Sequence, residues 1–116
     1  MVGDDAGTRD SVATLLEAHG FRVRQYASAE AFLTDAAGGA DAGLRCLVLD
    51  LSRPGMSGLD LLEWLAAAGV PPPSILISAE ATAPVATRAR AAGARLVLDR
   101  PVPPLDLVAH VRALAG

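Results

Sequence analysis

Asp50 follows directly on the apolar run Cys46-Leu47-Val48-Leu49, Ser78 follows Ile75-Leu76-Ile77, and Arg100 stands two residues beyond Leu98. Asp4 and Asp5 follow a strand that could only be Met1-Val2. Paired carboxylates bind a hard divalent cation such as Mg²⁺, which takes oxygen ligands and keeps several waters. A carboxylate can also attack phosphorus and hold an acyl phosphate. A hydroxyl and a guanidinium are groups that grip phosphoryl oxygens. Taken singly, each residue has a plainer reading. An Asp after a strand caps a helix or forms a turn, as Asp5 and Asp10 are expected to do. Ser78 alone is a loop hydroxyl and Arg100 a surface charge. Three chemical types at separate strand ends are what point to chemistry.

The elements that must hold them alternate. Val12, Leu15, Leu16 and His19 recur at helical spacing, and Gly20 ends that segment. Residues 21–26 alternate apolar with polar, as a half-exposed strand would. Ser28 can cap a short helix through Leu33. Cys46–Leu49, Ile75–Ile77 and Leu96–Leu98 are continuous apolar runs, the pattern of parallel strands buried on both faces. Helices are predicted from Gly58 through Leu65, from a Thr82 cap through Ala92 to Gly93, and after Pro103-Pro104 through Leu114. Residues 36–43 read as a loop. Alternating strands and helices with short connections imply a parallel sheet covered by helices on both faces. Ligands of such sheets gather outside the carboxyl ends of the strands. Asp50, Ser78 and Arg100 stand there.

A chain of 116 residues suits one domain, here 1–116. It is 52% hydrophobic but only 3% aromatic, so aliphatic side chains must fill the core. A net charge of −3 and the lack of any basic run give no pull toward nucleic acid or anionic membrane. The single cysteine, Cys46, excludes a disulfide framework and reads as a buried inert thiol. No apolar stretch reaches the roughly 18 residues of a membrane span, and no signal peptide opens the chain, so a cytoplasmic location is expected. Trp64 and Met56 read as packing residues. Arg88 and Arg90 read as a solvated helix face, and His19 and His110 have no matching metal ligands near them in sequence.

From Leu47 the chain reads Leu47-Val48-Leu49-Asp50-Leu51-Ser52-Arg53-Pro54-Gly55-Met56-Ser57-Gly58, with Pro four and Gly eight residues after the Asp. Ser78 stands 28 positions after Asp50, and Arg100 22 after Ser78. Ala79 follows the hydroxyl, and Gly93-Ala94 precedes Asp99-Arg100-Pro101. In this order and spacing the residues resemble the receiver domains of two-component response regulators, from Val2 to about Leu114. The segment Ser28-Ala29-Glu30-Ala31-Phe32-Leu33 is similar to the second helix of the branch that often carries a DNA-binding output domain. The resemblance implies a flavodoxin-like, doubly wound sheet of five parallel strands in the order 2-1-3-4-5, its first strand truncated here. It implies that Asp50 accepts phosphate, with Ser78 and Arg100 gripping the phosphoryl group and Arg100-Pro101 a cis bond. Mg²⁺ would be held by Asp4, Asp50 and the backbone carbonyl of Ser52. The implied partners are a histidine kinase or phosphotransfer protein, and an output domain or second copy met through the last two helices.

Four residues depart from the family pattern. Gly3 takes the place of the first of two acidic residues, so metal affinity is expected to fall. Arg100 stands where the family has Lys, and Arg is longer, planar and forked. Val97 takes the place of an aromatic switch residue, and Arg53 replaces a Met. Two further readings follow. A degenerate receiver would bind a partner without phosphate, Arg100 forming a standing ion pair with Asp50. A phosphatase with an aspartyl nucleophile usually has a second Asp two residues on, where this chain has Ser52. The chain is therefore expected not to be an enzyme.

Overall fold

The computed structural model describes residues 1–37, 43–50, 58–68, 72–78 and 83–115. Four strands form one parallel sheet in the order β1 (Val2–Gly3), β2 (Leu47–Asp50), β3 (Ser74–Ser78), β4 (Ala94–Asp99). Five helices connect or follow them: α1 (Ala6–Ala18), α2 (Ala29–Ala37), α3 (Gly58–Ala68), α4 (Ala83–Ala91) and α5 (Pro104–Ala115).

Side chains of β2 and β3 alternate between two cores, because successive strand residues point to opposite faces. Leu47, Leu49 and Leu76 pack with Phe32, Leu61, Leu62 and Ala89 from α2, α3 and α4. Val48, Ile75 and Ile77 pack with Leu16, Leu107, Val108 and Val111 from α1 and α5. This two-sided burial is why β2 and β3 read as unbroken apolar runs.

Local signals set several helix ends. The Asp5 carboxylate accepts from the N–H groups of Gly7 (2.9 Å) and Thr8 (3.4 Å), capping α1 as expected. Asp10, by contrast, lies exposed within α1 and is neither cap nor turn former. Gly20 ends α1 at φ +93°, a left-handed conformation that glycine adopts without a Cβ penalty. Ser28 Oγ accepts from Ala31 N–H (3.0 Å), but α2 continues past Leu33 to Ala37. Pro104 opens α5, where its missing N–H costs nothing. The Thr82 cap and most of the 36–43 loop lie outside the described residues.

The expected five-stranded sheet is not formed. The described residues make four strands, and the alternating segment 21–26 contributes only a single parallel bridge, Tyr26 to Val2. The cause is the shortness of β1. Two residues, Val2–Gly3 rather than Met1-Val2, cannot carry a ladder on both edges. On the outer edge Gly3 N–H donates to Tyr26 O (3.0 Å) and Tyr26 N–H to Met1 O (2.9 Å), and the Met1 ammonium donates to Arg24 O (2.8 Å). The bridge sets Tyr26 beside β1, while β2 pairs with it through Val2–Leu49 and Gly3–Asp50. β1 thus has the 21–26 segment on one side and β2 on the other. This is the kind of switch point where parallel sheets open a crevice at their carboxyl ends.

Candidate functional site

Asp50 is the last residue of β2 and lies opposite Gly3 in the register, so Asp4 follows immediately beside it. Asp50 is only 6% exposed, a costly position for a carboxylate without a compensating charge. That charge comes from β4. Ser78 and Asp99 are register partners at the ends of β3 and β4, and Arg100 N–H donates to Ser78 O (3.0 Å). From there the Arg100 guanidinium reaches across the strand ends and its Nη2 meets Asp50 Oδ1. Arg100-Pro101 is a cis peptide, as expected.

The contact is an ion pair more than a directional hydrogen bond. Asp50 Oδ1 and Arg100 Nε are both buried and lack a partner in hydrogen-bonding geometry among the described residues. The two sides also differ in hydration, the Arg100 side chain being 32% exposed and that of Asp50 6%. A carboxylate in a dry setting held by one partly exposed guanidinium keeps affinity for a further cation or proton donor.

Asp4 is half-buried, and Asp4 and Ser78 each engage in interactions of their own. Asp5 is committed to capping α1. The acidic set at this edge therefore reduces to Asp4 and Asp50, and the described residues contain no cluster of three or more His, Cys, Asp or Glu side chains fit for a metal. Ser52, Arg53, Pro54, Met56 and Ala79 lie outside the described residues. Arg9 was not singled out as functional by sequence reasoning. Its Nη1 donates to Gly3 O (2.8 Å) and pins the turn that carries Asp4. No motif marks it, since its target is a backbone carbonyl.

Two other expectations meet the structure differently. Trp64 is 50% exposed on α3 rather than packed. Arg88 and Arg90 do lie on an exposed face, where Arg88 pairs with Glu63 across α3 and α4 at 2.7 Å. His19 is turned to its own helix, its Nδ1 lying 2.9 Å from Leu15 O. No helix among the described residues is long and apolar enough to cross a membrane.

Comparison with protein families matches residues 1–112 to the response regulator receiver domain. Among characterised relatives, the transcriptional regulatory protein FixJ of Azorhizobium caulinodans is 40% identical over 116 residues, which are all of this chain and 54% of that protein. The response regulator protein TmoT of Ectopseudomonas mendocina is 38% identical over 112 residues, covering 97% of this chain and 50% of its own length. The chain thus spans about half the length of these relatives. Among solved structures, that of FixJ-N superposes with a TM-score of 0.83 at 34% identity, covering 98% of this chain and 89% of the other. With matching strand ends, matching spacing and a matching profile over nearly its whole length, the chain belongs to the receiver domain family of two-component response regulators.

Proposed function

We propose that this domain receives a phosphoryl group on Asp50 from a histidine kinase or phosphotransfer protein and relays the change through α4, β4 and α5. The observation that carries this reading is the buried Asp50 carboxylate at the end of β2, beside Gly3 of β1 and faced by the Arg100 guanidinium. In the transfer, a carboxylate oxygen of Asp50 forms a bond to phosphorus while the bond from phosphorus to the kinase imidazole nitrogen breaks. That nitrogen keeps the electron pair. The guanidinium of Arg100 already lies against Asp50 and offers its N–H groups to the incoming phosphoryl oxygens. Ser78, on the neighbouring strand end, supplies a hydroxyl.

A divalent cation fits the same edge. Asp4 and Asp50 would hold Mg²⁺ together with the Ser52 carbonyl, since a buried and a half-buried carboxylate at adjacent strand ends are the hard oxygen ligands such a cation takes. Bound there, Mg²⁺ would offset negative charge on the phosphoryl group. Gly3 leaves one acid fewer than the family pattern, and Arg100 competes for Asp50, so the affinity should be low. Mixing the protein with acetyl phosphate and Mg²⁺ tests the proposal by intact mass. One added phosphoryl group, absent from Asp50→Asn, supports it; an unchanged mass refutes it.

One observation favours a second reading. The Arg100–Asp50 ion pair sets a cation directly on the acceptor carboxylate, which is how a receiver signalling independently of phosphorylation would be built. In that case acetyl phosphate leaves the mass unchanged, and Arg100→Ala rather than phosphodonor alters partner binding. In either reading the domain acts by switching or holding an interaction surface. In a longer polypeptide an output domain would read it, and the expected cytoplasmic location belongs with that role.

A further inference from the structure

We infer that Arg9 is a positioning residue for the acceptor site, fixing the direction in which Asp4 leaves β1 so that a divalent cation meets both Asp4 and Asp50. The inference rests on the proposed reading in which those two carboxylates hold the cation. Gly3 lies opposite Asp50 in the register, and Asp4 is the next residue. Where the Asp4 carboxylate stands therefore depends on how the Gly3–Asp4 peptide is turned. Glycine specifies that turn weakly, because its backbone is the most permissive of all residues. The peptide unit is planar, so the Gly3 carbonyl and the Asp4 N–H rotate together. Holding the carbonyl oxygen holds the plane from which the Asp4 Cα departs.

Arg9 holds it. Its Nη1 donates to Gly3 O at 2.8 Å, and the half-buried side chain runs alongside Gly3, where a Cβ built on the glycine would lie 3.7 Å from Arg9 Cβ. Arg9 is itself anchored. Its own N–H donates to Asp5 O (2.9 Å), and the Asp5 carboxylate accepts from the N–H groups of Gly7 and Thr8. α1 thus grips the chain on both sides of Asp4, by the Arg9 side chain ahead of it and by the helix cap behind. A hydrogen bond from a charged donor is roughly twice as strong as a neutral one, so the tie is firm.

Charge separates positioning from simple electrostatics. A guanidinium beside the turn that carries Asp4 repels a cation bound there. Acting through its charge alone, Arg9 would oppose the cation, and its removal would strengthen binding. Acting by holding the turn, it favours the cation, and its removal weakens binding although a repulsive charge has gone. Groups that orient metal ligands from behind are typically worth about 10–100-fold in affinity, enough to outweigh the repulsion of one half-buried cation.

The test is a Mg²⁺ titration of the full, isotope-labelled chain, followed by the amide NMR shifts of Asp4 and Asp50 and repeated on Arg9→Met and Arg9→Lys. Methionine keeps an apolar stem beside Gly3 and lacks the donor; lysine restores a charged donor at nearly the same reach. Arg9→Met should bind Mg²⁺ at least about tenfold more weakly than the parent, and its Asp4 amide should already be displaced before Mg²⁺ is added. Arg9→Lys should recover most of the affinity and return the Asp4 amide toward its parent position. A change that only lowered stability would leave the affinity of the folded chain as it was. Equal or tighter Mg²⁺ binding by Arg9→Met overturns the inference and leaves the cation reading standing. Equal weakening in Arg9→Lys overturns it as well, since a restored donor would then count for nothing. A parent chain with no Mg²⁺-dependent shift at Asp4 or Asp50 overturns the cation reading itself, and this inference with it.

Discussion

Removing the Arg100 side chain isolates the most consequential interaction at the site. Arg100→Ala leaves the Asp50 carboxylate, 6% exposed, without the cation that faces it. Breaking a fully buried ion pair from one side costs about 3–5 kcal/mol, because the remaining charge stays desolvated. Arg100 is one-third exposed, so water already screens part of the attraction and can enter the space it vacates. We expect a loss of about 2–3 kcal/mol. Asp50→Asn is not the mirror image. It removes the buried charge and leaves a guanidinium that water can reach, so it should change stability by less than about 1 kcal/mol. The double variant should resemble Asp50→Asn, giving a coupling energy of about 2 kcal/mol. Urea unfolding followed by far-ultraviolet circular dichroism measures all four proteins. Trp64 is too exposed in the folded state for its fluorescence to report unfolding well. Mg²⁺ should also help Arg100→Ala more than the parent, since the competing cation is gone. At ten times its dissociation constant a ligand adds about 1.4 kcal/mol. An Arg100→Ala protein as stable as the parent, or single changes that simply add, would show that the two charges do not depend on each other.

Three further outcomes are expected. Gly58→Ala should destabilise by about 1–3 kcal/mol in urea unfolding, because a Cβ there would lie 2.6 Å from Leu76 Cδ1. Burial pushes the Cys46 thiol up from 9.0 to about 11. Two pH units mean about 100-fold less thiolate at pH 8 than for an unperturbed thiol, so Ellman's reagent should react correspondingly slowly with the folded chain and rapidly in urea. Because that value is raised in the folded state, the protonated thiol favours folding, and this contribution should be lost as pH rises from 9 toward 11. Arg88→Ala should cost less than about 0.5 kcal/mol in the same unfolding assay, since its pair with Glu63 lies in water on both sides.

What could be read from the residues follows from how strongly each environment constrains them. β2 and β3 were legible because strands buried on both faces admit only apolar residues, and their last residues then mark the crevice. Asp50 and Arg100 were legible as a candidate pair for that reason. Residues 21–26 misled. Their alternation describes a half-buried strand, but a ladder also needs a partner of matching length, and Val2–Gly3 is too short. Trp64 misled by a different route. The buried stripe of α3 runs through Gly58, Leu61, Leu62 and Leu65, and at 100° per residue Trp64 sits about 110° from its centre.

Gly58 approaches Leu76 so closely that the first turn of α3 and the middle of β3 have no room to slide past each other. Since β3 ends at Ser78, any side chain added at position 58 would press on the strand whose last residue carries the hydroxyl at the crevice.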